Sequence, residues 1–352
     1  MASTKISKNN HSVFISSLKK KCFLHTRFVF NGANISNGKE QAFFVELYIL
    51  NPSISPKRPV LFAEAKGSNG LLPSYCAVVC GTLGKGGKEL IKYNSLSELI
   101  YDKKSTSIQL GSFSLTDEVI IGSVTTADGS MDWNLQYERQ IQEAPNHKSN
   151  KFSWNSEGVK TVVSGIIHYN GEEFQAVPNM SYGYSDFSYG SEQINPWYHI
   201  SASNLVSTIN SKKLTNSCFA VQKVDTNKYL IFVKLEGKSY FFKTGKLLHK
   251  KSVECSCTES VDEQDLKRLH WSASLHRGKV YIDIDVYCHE SSMFLRNFDH
   301  PDGVALSNVF CGGSGVGEIR FYRKRLRTKT LELMEDARIS NALCEYGSDK
   351  KL

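Results

Sequence analysis

Residues 279–289 read KVYIDIDVYCH. Val280, Ile282, Ile284, Val286 and Cys288 alternate with Tyr281, Asp283, Asp285, Tyr287 and His289. A period of two puts the first set on one face of a β-strand and the second on the other. Working outward, KYLIFVKLEGKSYFFK (228–243) reads as two strands joined at Glu236-Gly237-Lys238, a hairpin signal. AFFVELYIL (42–50), MDWNLQYERQI (131–141), TVVSGIIHY (161–169), WYHISAS (197–203) and SCFAVQKV (217–224) are further strand-like runs.

Helical patterns are few; LELMEDARISNAL (331–343) predicts one short C-terminal helix. Many short strands without intervening helices indicate antiparallel β-barrels or sandwiches. The polar stretch APNHKSNKFS (144–153) divides the chain into halves, each about the size of one barrel. The expectation is an all-β protein of two domains, 1–150 and 151–352, the second ending in that helix.

The 352 residues are 40% hydrophobic and 22% charged, enough for a sizeable core without cross-links. No apolar run of about 18 residues marks a membrane-spanning helix. The N-terminal residues carry no apolar segment ahead of a small-residue cleavage site, so a cytoplasmic protein is expected. Nine scattered cysteines suit reduced thiols better than a disulfide framework. The net charge of +8 is mild, and RFYRKRLRTK (320–329) is broken by Phe321, Tyr322 and Leu326. It reads as a solvated strand end, not a nucleic-acid face. No metal-ligand spacing stands out around Cys255 and Cys257.

Two glycine-rich stretches fail as nucleotide motifs. GTLGKGGKE (81–89) has Gly87 where a phosphate loop needs lysine. GGSGVGE (312–318) leads into the strand-like EIRFY, so a hairpin or bulge is expected. Neither Ser314 nor any other serine completes G-x-S-x-G.

The stretch with a claim to chemistry is SYGYSDFSYGSEQINPWYHISASNL (181–205). Its glycines predict a loop leading into a strand at Pro196. On that strand Trp197, His199, Ser201 and Ser203 share one face; Tyr198, Ile200 and Ala202 share the other. A few polar groups among rings is the usual make-up of a small-molecule cavity. The residues also allow a plain structural reading, with the tyrosines as core, Asp186 as a turn cap and His199 as a satisfied core histidine.

Tyr182-Gly183-Tyr184, Asp186, Gly190, Pro196-Trp197 and Ser203-Asn204 resemble the central signature of the tocopherol-cyclase-like proteins. That group is placed with hydroxyneurosporene synthase and the AttH-type superfamily. MDWNLQYER (131–139) and GGSGVGEIRFYRK (312–324) are similar to it as well. Phe187-Ser188-Tyr189 stands where the family carries Lys-Asn-Trp.

The resemblance implies two packed lipocalin-like barrels around a cavity for a prenylated or polyene molecule. It also implies cyclisation, isomerisation or hydration with no cofactor and no metal. A non-catalytic carrier of a lipophilic ligand is the alternative. The catalytic candidates are Asp186, His199 and Tyr184. The substrate-binding candidates are Tyr182, Tyr189, Trp197, Ser201, Asn204, Trp133 and Asn134. In this reading the rings raise the pKa of Asp186 and keep it a neutral acid able to protonate an alkene, while stabilising the cation that forms.

Overall fold

The computed structural model describes residues 17–18, 20–54, 59–62, 70–102, 107–142, 146–149, 151–244, 253–303, 306–325 and 328–347. The described chain is all-β: one closed barrel and one half-barrel sheet. Among the described residues, no helix is long and apolar enough to cross a membrane. All nine cysteines are free thiols.

The first sheet holds thirteen strands. They are β1 (Phe23–Asn34), β2 (Glu40–Leu50), β3 (Tyr75–Leu83), β4 (Glu89–Asn94), β5 (Leu99–Asp102), β6 (Ser107–Leu110), β7 (Phe113–Leu115), β8 (Val119–Thr126), β9 (Gly129–Ile141), β10 (Asn146–His147), β11 (Phe152–Tyr169), β12 (Glu172–Ala176) and β13 (Gly183–Gly190). The second holds eleven. They are β14 (Trp197–Ala202), β15 (Asn204–Ser207), β16 (Cys218–Asp225), β17 (Lys228–Leu235), β18 (Lys238–Lys243), β19 (Val253–Val261), β20 (Lys267–Arg277), β21 (Val280–His289), β22 (Phe294–Asp299), β23 (Leu306–Lys324) and β24 (Leu331–Gly347).

The long apolar runs of β1, β2 and β3 follow from burial on both faces. Phe28 and Phe30 of β1, with Phe43, Val45, Leu47 and Ile49 of β2, fill the core of the first sheet. Their neighbours Phe23, Val29, Phe44 and Tyr48 fill a separate layer against the second sheet. That layer also takes Cys218, Ala220, Phe232 and Leu343 from the far side. Ile200, Val221, Ile231, Ile282, Ile284 and Val286 fill the core of the second sheet. Three apolar layers thus stack with two sheets between them, and any polar residue on the facing surfaces is locked in the middle one.

The expected hairpin is present: β17 and β18 turn at Glu236 (φ 41°) and Gly237 (φ 85°). Positive φ at both positions is what a two-residue hairpin turn demands. The GGSGVG stretch is a bulged part of β23, with register shifts between Gly312 and Gly315 and between Gly315 and Gly317.

Three expectations need correction. Residues 331–343 are not a helix; they belong to β24, which pairs with β23 from Leu331 to Tyr346. Ala337 and Ile339, then Ala342 and Cys344, face the second core, with Asn341 at φ 56° shifting the phase between them. A strand partner along its whole length overrides a weak helical period.

The expected boundary at residue 150 falls inside the first sheet, because β11 pairs with β9 and carries the chain back into it. The change of sheet comes between Gly190 and Trp197. A polar connection looks the same in sequence whether it links two strands or two domains.

SYGYSDFSYG is not a loop either, since residues 183–190 form β13, paired with both β1 and β11. Its glycines serve close approach. A Cβ on Gly183 would lie 2.3 Å from the Thr161 carbonyl oxygen, and one on Gly190 would lie 2.0 Å from that of Lys151.

Candidate functional site

On β1 the odd positions His25 and Arg27 face the layer between the sheets, between the apolar Phe23 and Val29. Register places Asp186 of β13 directly opposite Arg27. Arg27 Nε donates to Asp186 Oδ1 at 3.2 Å and Nη2 to Oδ2 at 2.6 Å. Trp154 Nε1 (3.1 Å) and the Tyr184 hydroxyl (3.0 Å) also donate to Oδ2. The third nitrogen, Nη1, crosses to the second sheet and donates to Glu345 Oε1. Trp197 Nε1 donates to Glu345 Oε2 at 2.9 Å. Arg27, Asp186 and Glu345 are each 3% exposed.

Burial alone would raise both carboxylate pKa values, but the Arg27 charge and its hydrogen bonds outweigh it and hold Asp186 and Glu345 below the usual range. The same pairing holds Arg27 well above its ordinary value against desolvation. All three are therefore charged at neutral pH. This overturns the expectation of a neutral Asp186. Tyr184 lies beside it as expected, but as a hydrogen-bond donor to an anion, and a guanidinium lies opposite.

His199 is fully buried. Its Nδ1 lies 2.8 Å from Gln222 Oε1 and its Nε2 lies 3.1 Å from Ser201 Oγ. Gln222 spends its NH₂ on the Lys223 carbonyl at 2.7 Å, so its oxygen accepts from Nδ1–H and Nε2 accepts from Ser201. Burial, then the Arg27 charge, pushes the His199 pKa down to about 4. The ring is thus neutral, packed 5.0 Å from that of Tyr184.

A second buried pair adjoins the first. Arg296 of β22 binds Glu46 of β2 through two bonds of 2.8 Å, and His25 Nε2 lies 3.0 Å from Glu46 Oε2. Glu46 stands directly across from Arg27 on the neighbouring strand.

Two small clefts flank this polar layer. One has His25, Arg27, Trp197, Phe298 and Glu345 on its wall. The other has Tyr182, Tyr184, Ser201, Ser203, Asn31 and Asn341. Each encloses about 10 Å³, room for about one water. The prenyl-sized chamber expected from the sequence is not formed at either; a long molecule would have to lie along their open mouths.

Asp186, Tyr184, His199, Trp197 and Ser201 are brought together. Tyr182 is half-buried on the second cleft, where its hydroxyl accepts from Lys213 Nζ at 2.8 Å. Asn204 Nδ2 donates to Asn341 Oδ1 at 2.8 Å, on the rim of the same cleft. Tyr189 turns the other way, stacking on Phe187 against the first core. Trp133 is buried inside that core, and its neighbour Asn134 is exposed on the opposite face of β9. Neither belongs to the polar layer, because alternate residues of β9 point into the first sheet's core and out to solvent.

Sequence reasoning missed Arg27, Glu345, Gln222, Glu46 and Arg296. A faint signal was there: Arg27 in FLHTRFVF, Glu46 in AFFVELYIL and Gln222 in SCFAVQK are polar residues inside runs otherwise fit for burial on both faces.

No protein-family model matches the sequence, and neither does any curated protein. Solved structures similar to this one include an AttH candidate from Nitrosomonas europaea. It is 12% identical, covering 92% of this chain and 91% of that one at a TM-score of 0.47. Kievitone hydratase from Nectria haematococca is 9% identical, covering 92% and 89% at a TM-score of 0.48.

Proposed function

We propose that the protein is a cofactor-independent enzyme that cyclises, isomerises or hydrates a hydrophobic, prenylated or polyene small molecule at the cleft beside Glu345. One observation carries this reading: an ionised carboxylate, Glu345, stands on a cleft wall shared with the rings of Trp197 and Phe298. A carboxylate and ring faces with little water around them stabilise positive charge as it forms on carbon. Behind Phe298 further rings pack in series. Phe298 lies 6.1 Å from Tyr48, Tyr48 6.4 Å from Tyr75, and Tyr75 5.0 Å from Tyr93, which is 40% exposed. Tyr48 and Tyr75 are themselves buried, so this series backs the cleft wall with aromatic core.

Asp186 in this reading is not the proton donor. It anchors Arg27, which holds Glu345 in place and charged. Tyr184 keeps its proton, since burial and then the Asp186 charge raise its pKa well above the ordinary value.

A carrier without catalysis is the second reading. It is favoured by the fact that all four oxygens of Asp186 and Glu345 already have protein donors. One experiment separates the two. A panel of prenylated phenols and polyenes is incubated with the protein in D₂O and the recovered molecules are analysed by mass spectrometry. Transfer of a deuteron from solvent to an alkene, followed by ring closure onto a phenol oxygen that releases its own deuteron or by capture of a water that releases one of its own, leaves one deuterium bound to carbon. Glu345→Gln should abolish that product while near-ultraviolet circular dichroism stays unchanged. Molecules that bind and return unaltered would establish the carrier.

A further inference from the structure

Ser201 stands on the wall of the second cleft, and a buried imidazole and amide continue in series behind it: Ser201 Oγ lies 3.1 Å from His199 Nε2, whose Nδ1 lies 2.8 Å from Gln222 Oε1. These are the roles of nucleophile, base and orienter, which activate a serine on unrelated folds and are recognised by geometry rather than by sequence position. Ser201 and His199 sit two residues apart on β14, so both side chains face the same way. The lack of G-x-S-x-G therefore says nothing against them; that motif belongs to a strand–turn–helix elbow, and this serine lies on a strand.

A fourth group completes the arrangement. Ser203, on the wall of the same cleft, is 6% exposed, and its Oγ has no hydrogen-bond partner among the described residues. A buried hydroxyl left unbonded costs free energy unless something else occupies it.

We propose that Ser201 is a nucleophile that hydrolyses esters of small acyl groups, with His199 as its base, Gln222 as the positioning residue and the Ser203 hydroxyl as donor to the oxyanion. This activity is separate from chemistry at the Glu345 cleft. His199 Nε2 takes the Ser201 proton as Oγ bonds to the acyl carbon. Collapse of the tetrahedral species breaks the bond to the leaving oxygen, which receives that proton. Water then repeats the sequence and releases the acid. The enclosed space, about 10 Å³, holds one water, so the acyl group lies at the cleft's open mouth and small acyl groups are favoured.

The imidazole is unprotonated at neutral pH, and the same burial and Arg27 charge that keep it so make it a weak base. Arg27, Asp186 and Glu345 bear on it electrostatically, Tyr184 packs against it, and Gln222 and Ser201 bond it; burial and Arg27 prevail, so the ring stays unprotonated down to about pH 4. The acylation rate should be level between about pH 5 and 8, without the inflection near 6.5 of an ordinary histidine.

The test uses the whole protein and p-nitrophenyl acetate. A burst of one nitrophenolate per chain is expected, with the acetyl group found on Ser201 by tandem mass spectrometry after acid quench. His199→Ala should slow the burst about 100-fold or more. Gln222→Glu, which gives the imidazole an anionic partner, should speed it and move the low-pH inflection upward. A p-nitrophenyl ester of a long-chain acid should react far more slowly. The inference fails if no acetyl is found on Ser201, or if Gln222→Glu leaves both rate and pH profile unchanged. Wild-type labelling and the Gln222 variant decide the matter even if His199→Ala does not fold.

Discussion

The guanidinium of Arg27 is shared between Asp186, on the strand beside it, and Glu345, in the other sheet. One side chain thus holds a carboxylate on its own sheet and ties the two sheets together. Arg27→Met should destabilise the fold by about 3–5 kcal/mol, because it leaves two buried anions without their partner. The loss should depend on pH. Without Arg27 the two carboxyls take up protons more readily, so the gap between variant and wild-type urea midpoints should narrow from pH 7.5 to pH 5. A gap unchanged by pH would mean that Asp186 and Glu345 do not depend on Arg27 for their charge.

His199 makes the fold acid-sensitive in a separate window. Its pKa is about 4 in the fold against 6.5 for an ordinary imidazole. The fold favours the neutral ring, so this contribution is complete above about pH 6.5 and is lost as pH falls towards 4. The shift corresponds to about 3 kcal/mol. Asp186, Glu345 and Glu46 are depressed in the fold, so their contribution is complete above their unfolded values, near 4, and is lost only below that. His147, also depressed but partly exposed, adds a smaller share in the upper window. His199→Gln should therefore flatten most of the fall in stability between pH 6.5 and 4.5, whatever it costs at pH 7. Urea titrations across that range measure it.

The strand pattern was legible wherever one face is wet. In β21 the alternation of Ile282, Ile284 and Val286 with Asp283 and Asp285 survives intact in the fold. Where both faces are buried, as in β2, alternation is lost and only the continuous apolar run remains. The C-terminal strand was misread because Asn341 shifts its period midway, and a broken period of two resembles a helical one.

At the site, the Trp197–His199–Ser201 face was readable from β14 alone. Its partners were not: Arg27 lies 159 positions from Asp186, and the Arg27–Glu345 pair spans 318. Register between distant strands is not written locally. The state of an acid such as Asp186 follows from the residue across the strand, not from the rings beside it in sequence.

The same limit applies to glycine. Gly317 has no positive φ, yet a Cβ there would lie 1.9 Å from the Asp285 carbonyl oxygen. Gly38 has φ +70° and nothing within 4 Å of its would-be Cβ. Gly317→Ala must push β21 and β23 apart and should cost about 3 kcal/mol. Gly38→Ala strains only its own backbone and should cost about 1 kcal/mol. Thermal denaturation of the two variants ranks them. The reverse order would show that the β21–β23 contact relaxes easily.

The two tryptophans that serve the charged centre offer a test of its unity. Trp154 donates to Asp186 and Trp197 to Glu345, and Arg27 hydrogen-bonds both carboxylates. Trp154→Phe and Trp197→Phe each keep a ring but remove a donor to a charged acceptor, which should cost about 1.5–3 kcal/mol apiece. If Arg27 is a common hinge, loss of either donor loosens it, and the second loss then costs less than the first. The double variant should depart from additivity by about 0.5 kcal/mol or more, well beyond the scatter between independent sites. Strict additivity would mean that each carboxylate is held by its own surroundings. Glu345 could then be altered, as the ligand experiments require, without disturbing Asp186.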